Sequence, residues 1–216
     1  MVKIGHSSYE SEFFLSIDSY VEHATQIHPR LDIIYVLQGS VHIEHGENEF
    51  DLHEDQFCII NPLELYRVDT KSDSHTLQLS FDSKMLGQNY PYISCKSDNK
   101  HYSEDIYESI RYSIATVFRL YYKDIENNRS IIFSNLYSIL NTLSSFFATT
   151  RTADKAPKNG YESFEAILKY VHEHFGQDIY LNDLATNYYL SPGHISRLFQ
   201  KHLKMTFLND IFKWHF

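Results

Sequence analysis

The chain has 216 residues, 43% hydrophobic and 15% aromatic, enough for one large or two small domains with a packed core. Its formal charge of −9 excludes a broadly basic nucleic-acid coat, and two cysteines, Cys58 and Cys95, exclude a disulfide framework. No charged, apolar leader follows Met1 and no apolar run approaches a membrane span, which predicts a cytoplasmic protein with no membrane partner.

From Ile33 to Phe81 the pattern is β. Ile33-Ile34-Tyr35-Val36-Leu37 is an unbroken apolar run of the kind buried strands carry. Gln38-Gly39-Ser40 turns the chain, and Val41-His42-Ile43-Glu44-His45 alternates apolar with polar at period two. Gly46-Glu47-Asn48 is a second turn, followed by Phe50-Asp51-Leu52. Phe57-Cys58-Ile59-Ile60 is a further core strand stopped by Asn61-Pro62, and Thr76 to Phe81 closes the series. Short strands at this spacing predict a small sandwich or barrel. Residues 82–102, polar and interrupted by Gly87 and Pro91, predict a loop.

Ser103 to Asp124 is predicted helical, with Ser103 as cap and Ile106, Ile110, Ile114, Val117, Phe118 and Tyr121 on one stripe. Asn127-Asn128 breaks it. Ser130 to Thr149 repeats the pattern through Ile132, Leu136, Ile139, Leu140, Leu143 and Phe147, so an antiparallel pair is expected. Its apolar faces must bury against the β domain, each other or a second chain. Residues 151–160 lack apolar periodicity and read as a linker. Ser163 to Phe175 is the next helix, with Phe164, Ile167, Leu168, Val171 and Phe175 inward and Gly176 at its end.

The most specific stretch follows. Asn182 to Asn187 is a short helix, Tyr188 to Leu190 a turn, and Ser191-Pro192 opens a second helix. Ser191 can cap its free amides, and Pro192 suits the first helical position. Ile195, Leu198, Phe199 and His202 fall on the inward stripe, while Gly193, Ser196, Arg197, Gln200 and Lys201 fall on the other face. Two short helices with the small Ala185 at their crossing form a helix-turn-helix. Leu184-Ala185, Leu190-Ser191-Pro192, His194 to Phe199 and Met205-Thr206-Phe207 resemble the first DNA-binding half of AraC/XylS-type transcription regulators. The resemblance covers about the last quarter of the chain. Strand, Gly39, strand, Gly46, Leu52 to Gln56 and Asn61-Pro62 also look like the cupin-type jelly roll that commonly precedes that half.

The predicted fold class is therefore α+β. A cupin-like β-barrel or jelly roll for sensing or dimerisation spans 1–102, with a helical pair over 103–150 as a candidate dimer interface. A linker spans 151–160, and an all-α helix-turn-helix subdomain with the start of a connecting helix spans 161–216.

Charge is unevenly spread. Residues 1–150 carry 11 Lys+Arg against 21 Asp+Glu, yet no acid occurs between Leu184 and Asn209. Within that window Arg197 is the best base reader, because a guanidinium can hold guanine bidentately; a phosphate or carboxylate partner is the alternative. Ser196 and Gln200 are candidate readers or phosphate donors, and Lys201 and Lys204 are candidate phosphate contacts. His194 in the first turn suits packing or a phosphate contact. In the resembled family the position of Gly193 often carries a larger base-contacting side chain, so the readout here is narrower.

Metal-binding cupins supply clustered histidines. The matching positions here are His28, Asp32 and Tyr66, a poor divalent site, so no metal, cofactor or catalytic residue is expected. His23, His42, His45, His53 and His75 read as surface residues. Asp32, Tyr35 and Tyr66 are candidates to line a small-molecule pocket, with ordinary core packing as the alternative. Lys204 replaces a Gly that commonly ends the recognition helix, and His215 stands where an Arg is usual. The chain ends at Phe216, before the second helix-turn-helix of the resembled regulators, so a piece of a longer regulator is expected, with a partial module of weakened DNA binding as the alternative. These readings imply a homodimer that binds promoter DNA and answers to a small-molecule or protein effector. Two rivals stand beside it. One is a dimerisation or interaction module with a vestigial helix-turn-helix, and the other is a cupin enzyme with a helical tail.

Overall fold

The computed structural model describes residues 12–18, 26–27, 29–46, 48–70, 73–87, 90–94, 104–149, 161–174, 179–203 and 207. Its N-terminal strands are β1 (Phe13–Asp18), β2 (Leu31–Gln38), β3 (Ser40–His45), β4 (Asn48–His53), β5 (Phe57–Ile60), β6 (Tyr66–Thr70) and β7 (His75–Phe81). They form two antiparallel sheets, one in the order β1-β7-β2-β5 and one in the order β4-β3-β6. β1 and β6 were not among the predicted strands, although Tyr66, Val68 and Thr70 are buried in strict alternation.

The four-stranded sheet is covered on both faces. Leu31 and Ile33 of β2, Phe57 and Ile59 of β5, and Leu77, Leu79 and Phe81 of β7 face a core shared with the helical pair. Ile34, Val36, Cys58 and Ile60 face the other way, toward Val41, Ile43, Leu52 and Val68 of the second sheet. A strand buried on both faces has no polar side to show, hence the unbroken apolar runs of β2 and β5. Between β2 and β3, Gly39 takes φ +79°, and a Cβ there would lie 2.6 Å from Ser74 Oγ. That hydroxyl donates to Ser40 O at 2.7 Å, so the turn needs glycine for both conformation and room.

Residues 82–102 are not wholly loop. Helix α1 (Ser83–Leu86) and strand β8 (Tyr92–Ile93) interrupt them, and β8 pairs with β9 (Ala148–Thr149) after the helices. Helix α2 (Glu104–Phe146) divides at Asp124, whose backbone is extended (φ −174°, ψ 96°). The break comes before the predicted Asn127-Asn128 because Asp124 is a cap. Its Oδ1 accepts from Asn127 N at 3.1 Å and its Oδ2 from Asn127 Nδ2 at 2.6 Å, which hold the carboxyl below its ordinary range. Tyr107 and Phe147, at opposite ends of the two limbs, meet with ring centroids 5.6 Å apart, so the limbs run antiparallel. Both limbs bury their stripes against the β1-β7-β2-β5 sheet of the same chain, which settles where those faces go.

Helices α3 (Tyr161–Glu173), α4 (Leu181–Asn187) and α5 (Pro192–Leu203) enclose a separate core of Phe164, Ile167, Leu168, Val171, Leu184, Ala185, Ile195, Leu198, Phe199 and Phe207. Phe164 anchors it, edge-on to Phe199 and stacked on His202, each at 5.1 Å. The predicted Ser103 cap, the linker over 151–160, Phe175, Gly176 and Thr206 lie outside the described residues.

Candidate functional site

The C-terminal candidate is the outer face of α5. His194 N lies 3.1 Å from Ser191 Oγ, the cap that the sequence suggested, and Pro192 occupies the first turn. Burial of Ile195, Leu198 and Phe199 turns Gly193, Arg197, Gln200 and Lys201 out to solvent, with His194 and Ser196 half-buried at the margins. The turn before α5 is tightly made. Leu190 N donates to Ala185 O at 2.9 Å and Tyr189 N to Thr186 O at 3.4 Å, with Tyr189 in the left-handed region (φ +54°). This is a Schellman closure with a tyrosine where glycine is usual. Tyr188 ties the turn to α3 by donating to Ala166 O at 3.0 Å. Lys204 lies outside the described residues.

The N-terminal candidate is a buried polar cluster between the two sheets. Asp32 and Ser80 are cross-strand partners on β2 and β7, and Ser16 of β1 pairs with Gln78 of β7. The Tyr66 hydroxyl lies 3.0 Å from Asp32 Oδ2 and 3.1 Å from Gln26 Oε1, and accepts from Gln78 Nε2 at 3.2 Å. Burial, and then the charge of Asp32, push the Tyr66 phenol well above its ordinary range, so it stays a donor. Its single proton serves Asp32 or Gln26 at any one moment. Such a group of buried hydrogen-bonding side chains beside an apolar wall suits recognition of a small polar molecule.

The structure brings Asp32 and Tyr66 together and leaves Tyr35 out. Asp32 and Tyr35 are an odd number of residues apart on one strand, so they face opposite sides of the sheet. Tyr35 instead donates to Asp55 Oδ1 at 2.6 Å; burial, then that bond, raise its phenol. Gln26, Ser16, Gln78 and Ser80 were missed in the sequence. The available signal was the polar alternate positions Thr76, Gln78 and Ser80 of a strand whose intervening residues Leu77, Leu79 and Phe81 are core.

A second buried polar group was also missed. Glu64 accepts from His45 Nε2 at 2.8 Å, Asn61 N at 2.9 Å and Tyr92 OH at 2.9 Å. Asn61 in turn exchanges two 2.9 Å bonds with the backbone of Ile93. Burial works to raise the Glu64 carboxyl, but these partners together hold it below its ordinary range. His45 is thus a half-buried partner of Glu64, not the surface residue that its alternation suggested. His42 does lie at the surface, 2.8 Å from Asp51. Among the described residues no three His, Cys, Asp or Glu side chains are grouped to hold a metal; His23 and His28 lie outside them. No helix among the described residues is long and apolar enough to cross a membrane.

Residues 13–94 match the sequence family described as the AraC-binding-like domain. No curated protein matches the chain. Among solved structures, the AraC-like transcriptional activator CuxR is similar over 97% of this chain and 76% of that one, at 13% identity and a TM-score of 0.51. That likeness is one of fold. The cupin domain of Cnp3 from Schizosaccharomyces pombe aligns over 38% of this chain and 61% of its own, at 11% identity and a TM-score of 0.34. A cupin superfamily protein from Desulfitobacterium hafniense aligns over 38% and 76%, at 12% identity and a TM-score of 0.34.

Proposed function

With residues 13–94 an AraC-binding-like domain, we propose that the chain is a sequence-specific transcription regulator. In this reading a cupin-like sensing domain over 1–102 takes a small polar effector at Asp32, Tyr66 and Gln78. The pair over 103–150 follows it, a linker spans 151–160, and a helix-turn-helix over 161–216 reads promoter DNA. The observation that carries the reading is the sidedness of α5. A capped helix buries Ile195, Leu198 and Phe199 and leaves Gly193, Arg197, Gln200 and Lys201 exposed. An arrangement of this kind lets early helix residues reach base edges while flanking cations meet phosphates. The acidic residues are concentrated in the β domain, which keeps non-specific attraction to DNA weak and leaves selectivity to this face.

Exposed Tyr112, Ile131, Tyr137 and Phe146 on the helical pair support a homodimer, because large apolar groups in water favour a covering partner. A dimer would present two copies of α5 to paired half-sites. The reading assigns no enzymatic role.

Selection of genomic DNA fragments, followed by titration across salt concentrations, tests the proposal. The unaltered chain is expected to prefer particular fragments over random DNA. Arg197→Ala is expected to lose about tenfold or more of that discrimination. Equal losses on selected and random DNA would reduce Arg197 to a phosphate contact. Absence of any salt-dependent binding would replace the DNA reading with the interaction module.

A further inference from the structure

One member of the C-terminal helical core does not come from the helices. Leu65, only 6% exposed, is buried in the cluster whose other buried members lie between Phe164 and Phe207. Ile27 packs against the same cluster. These two β-domain residues are neighbours in a specific geometric sense. Gln26 and Tyr66 form an antiparallel bridge, with Gln26 N donating to Tyr66 O at 2.8 Å and Tyr66 N to Gln26 O at 3.1 Å. Side chains alternate along extended backbone. Gln26 and Tyr66 therefore share one side of the bridge, toward Asp32, and Ile27 and Leu65 share the other, toward α3–α5.

We infer that the Gln26–Tyr66 bridge is a relay, in which Leu65 and Ile27 position the C-terminal helical unit according to the hydrogen bonding of the Tyr66 hydroxyl. The inference rests on the sensing reading given above and specifies its regulation. Among the described contacts the Tyr66 hydroxyl reaches Asp32 Oδ2 at 3.0 Å in the interior and Gln26 Oε1 at 3.1 Å on the bridge itself. A polar molecule engaging Asp32 releases the proton to Gln26, and the reverse draws the Tyr66 ring inward. Either shift moves residues joined directly to Leu65 and Ile27. The segment behind them cannot absorb the movement freely. Glu64 is held by His45, Asn61 and Tyr92, and Leu65 O accepts from Gly46 N at 3.1 Å. A displacement at Tyr66 is therefore passed outward to the helical unit.

Amide hydrogen exchange on the full chain tests the relay without an identified effector. Leu65→Ala is expected to speed exchange across α3 and α5 by about tenfold, while β2 and β7 keep their protection. Tyr66→Phe keeps the ring and removes the hydroxyl that reaches Asp32 and Gln26. It is expected to speed exchange in the same helices by about threefold, in addition to a local change at Asp32 of β2 and Gln78 of β7, which lose the same hydroxyl. Unchanged helix exchange in Leu65→Ala would overturn the contact. A Tyr66→Phe response confined to strands, or spread evenly over the chain, would overturn the relay. Should Leu65→Ala fail to fold, Ile27→Ala tests the same contact with the same two outcomes. The DNA reading is tested separately. Both exchange responses in a chain that selects no DNA would support the relay and remove promoter binding. Selective DNA binding with neither response would remove the relay alone.

Discussion

The β domain and the C-terminal helical unit bury apolar surface with very different reserves. The β1-β7-β2-β5 sheet is packed on both faces, against the two limbs of α2 on one side and the second sheet on the other. Any one of its side chains is held by neighbours from several elements. Among the described residues the helical unit has three helices of 13, 7 and 12 residues around one core. None is long enough to persist alone in water, so tertiary packing must supply its stability. It also takes Leu65 and Ile27 from the β domain to complete that core. A scaffold with redundant packing can carry a buried polar cluster, whereas a unit with few anchors is easily repositioned by the neighbour it leans on.

The hardest test of this contrast is Phe164→Ala. Phe164 is fully buried and contacts both Phe199 and His202. Its removal should cost about 3–5 kcal/mol, which three short helices cannot absorb. Protection from amide exchange should be lost over α3, α4 and α5 while β2 and β7 remain protected. Simultaneous loss in both regions would break the comparison, because the chain would then unfold as one cooperative unit.

Glu64→Gln probes the β domain where a charge is buried. The native carboxyl lies below its unfolded value, so its contribution is fully present above about pH 4.5 and is lost as pH falls through the lower folded value. The glutamine variant should be about 1–3 kcal/mol less stable at pH 7, since it cannot accept from all three partners. In acid that deficit should shrink toward zero. Urea midpoints at neutral and acidic pH measure both quantities, and a deficit constant with pH would show that the ionised form is not the source.

How legible each region was in the sequence follows from the same contrast. The stretch from Leu184 to Phe199 could be read almost residue by residue, because a cap, an N-terminal proline and a 3.6-residue stripe are local signals. Ser191, Ile195, Leu198 and Phe199 stand where those signals place them. Strands β2, β3, β5 and β7 were also legible. The polar cluster was only half so. Asp32 and Tyr66 can be picked out individually, but their meeting depends on β2 and β6 lying in different sheets, which period-two alternation does not encode. Tyr35 was grouped with Asp32 by nearness in sequence, although an odd spacing on a strand separates two side chains. His45 looked solvated because alternation reports a strand's two faces, not the loop with Glu64 that covers its end, and Glu64 itself was not singled out. The first helix was correctly ended at Asp124, but Asn127-Asn128 were read as a break because two consecutive asparagines resemble one. The capping carboxylate three residues earlier makes them part of the first turn.

The smallest expected effect sharpens the contrast most finely. Tyr189 is 96% exposed and holds the left-handed position that closes α4. A side chain with a Cβ pays for that conformation, whereas glycine does not. Its exposure means that little packing is lost on removal. Tyr189→Gly should therefore stabilise the helical unit by about 0.5–1 kcal/mol, after allowance for glycine's greater freedom when unfolded. Tyr189→Ala keeps the Cβ and should stay close to the unaltered chain. The gain should appear as slower exchange in α4 and α5, with β2 and β7 unaffected because they owe nothing to this turn. Equal stability of the glycine and alanine variants would mean that the Schellman closure is not strained. A unit short of anchors would then have no simple local gain left at this turn.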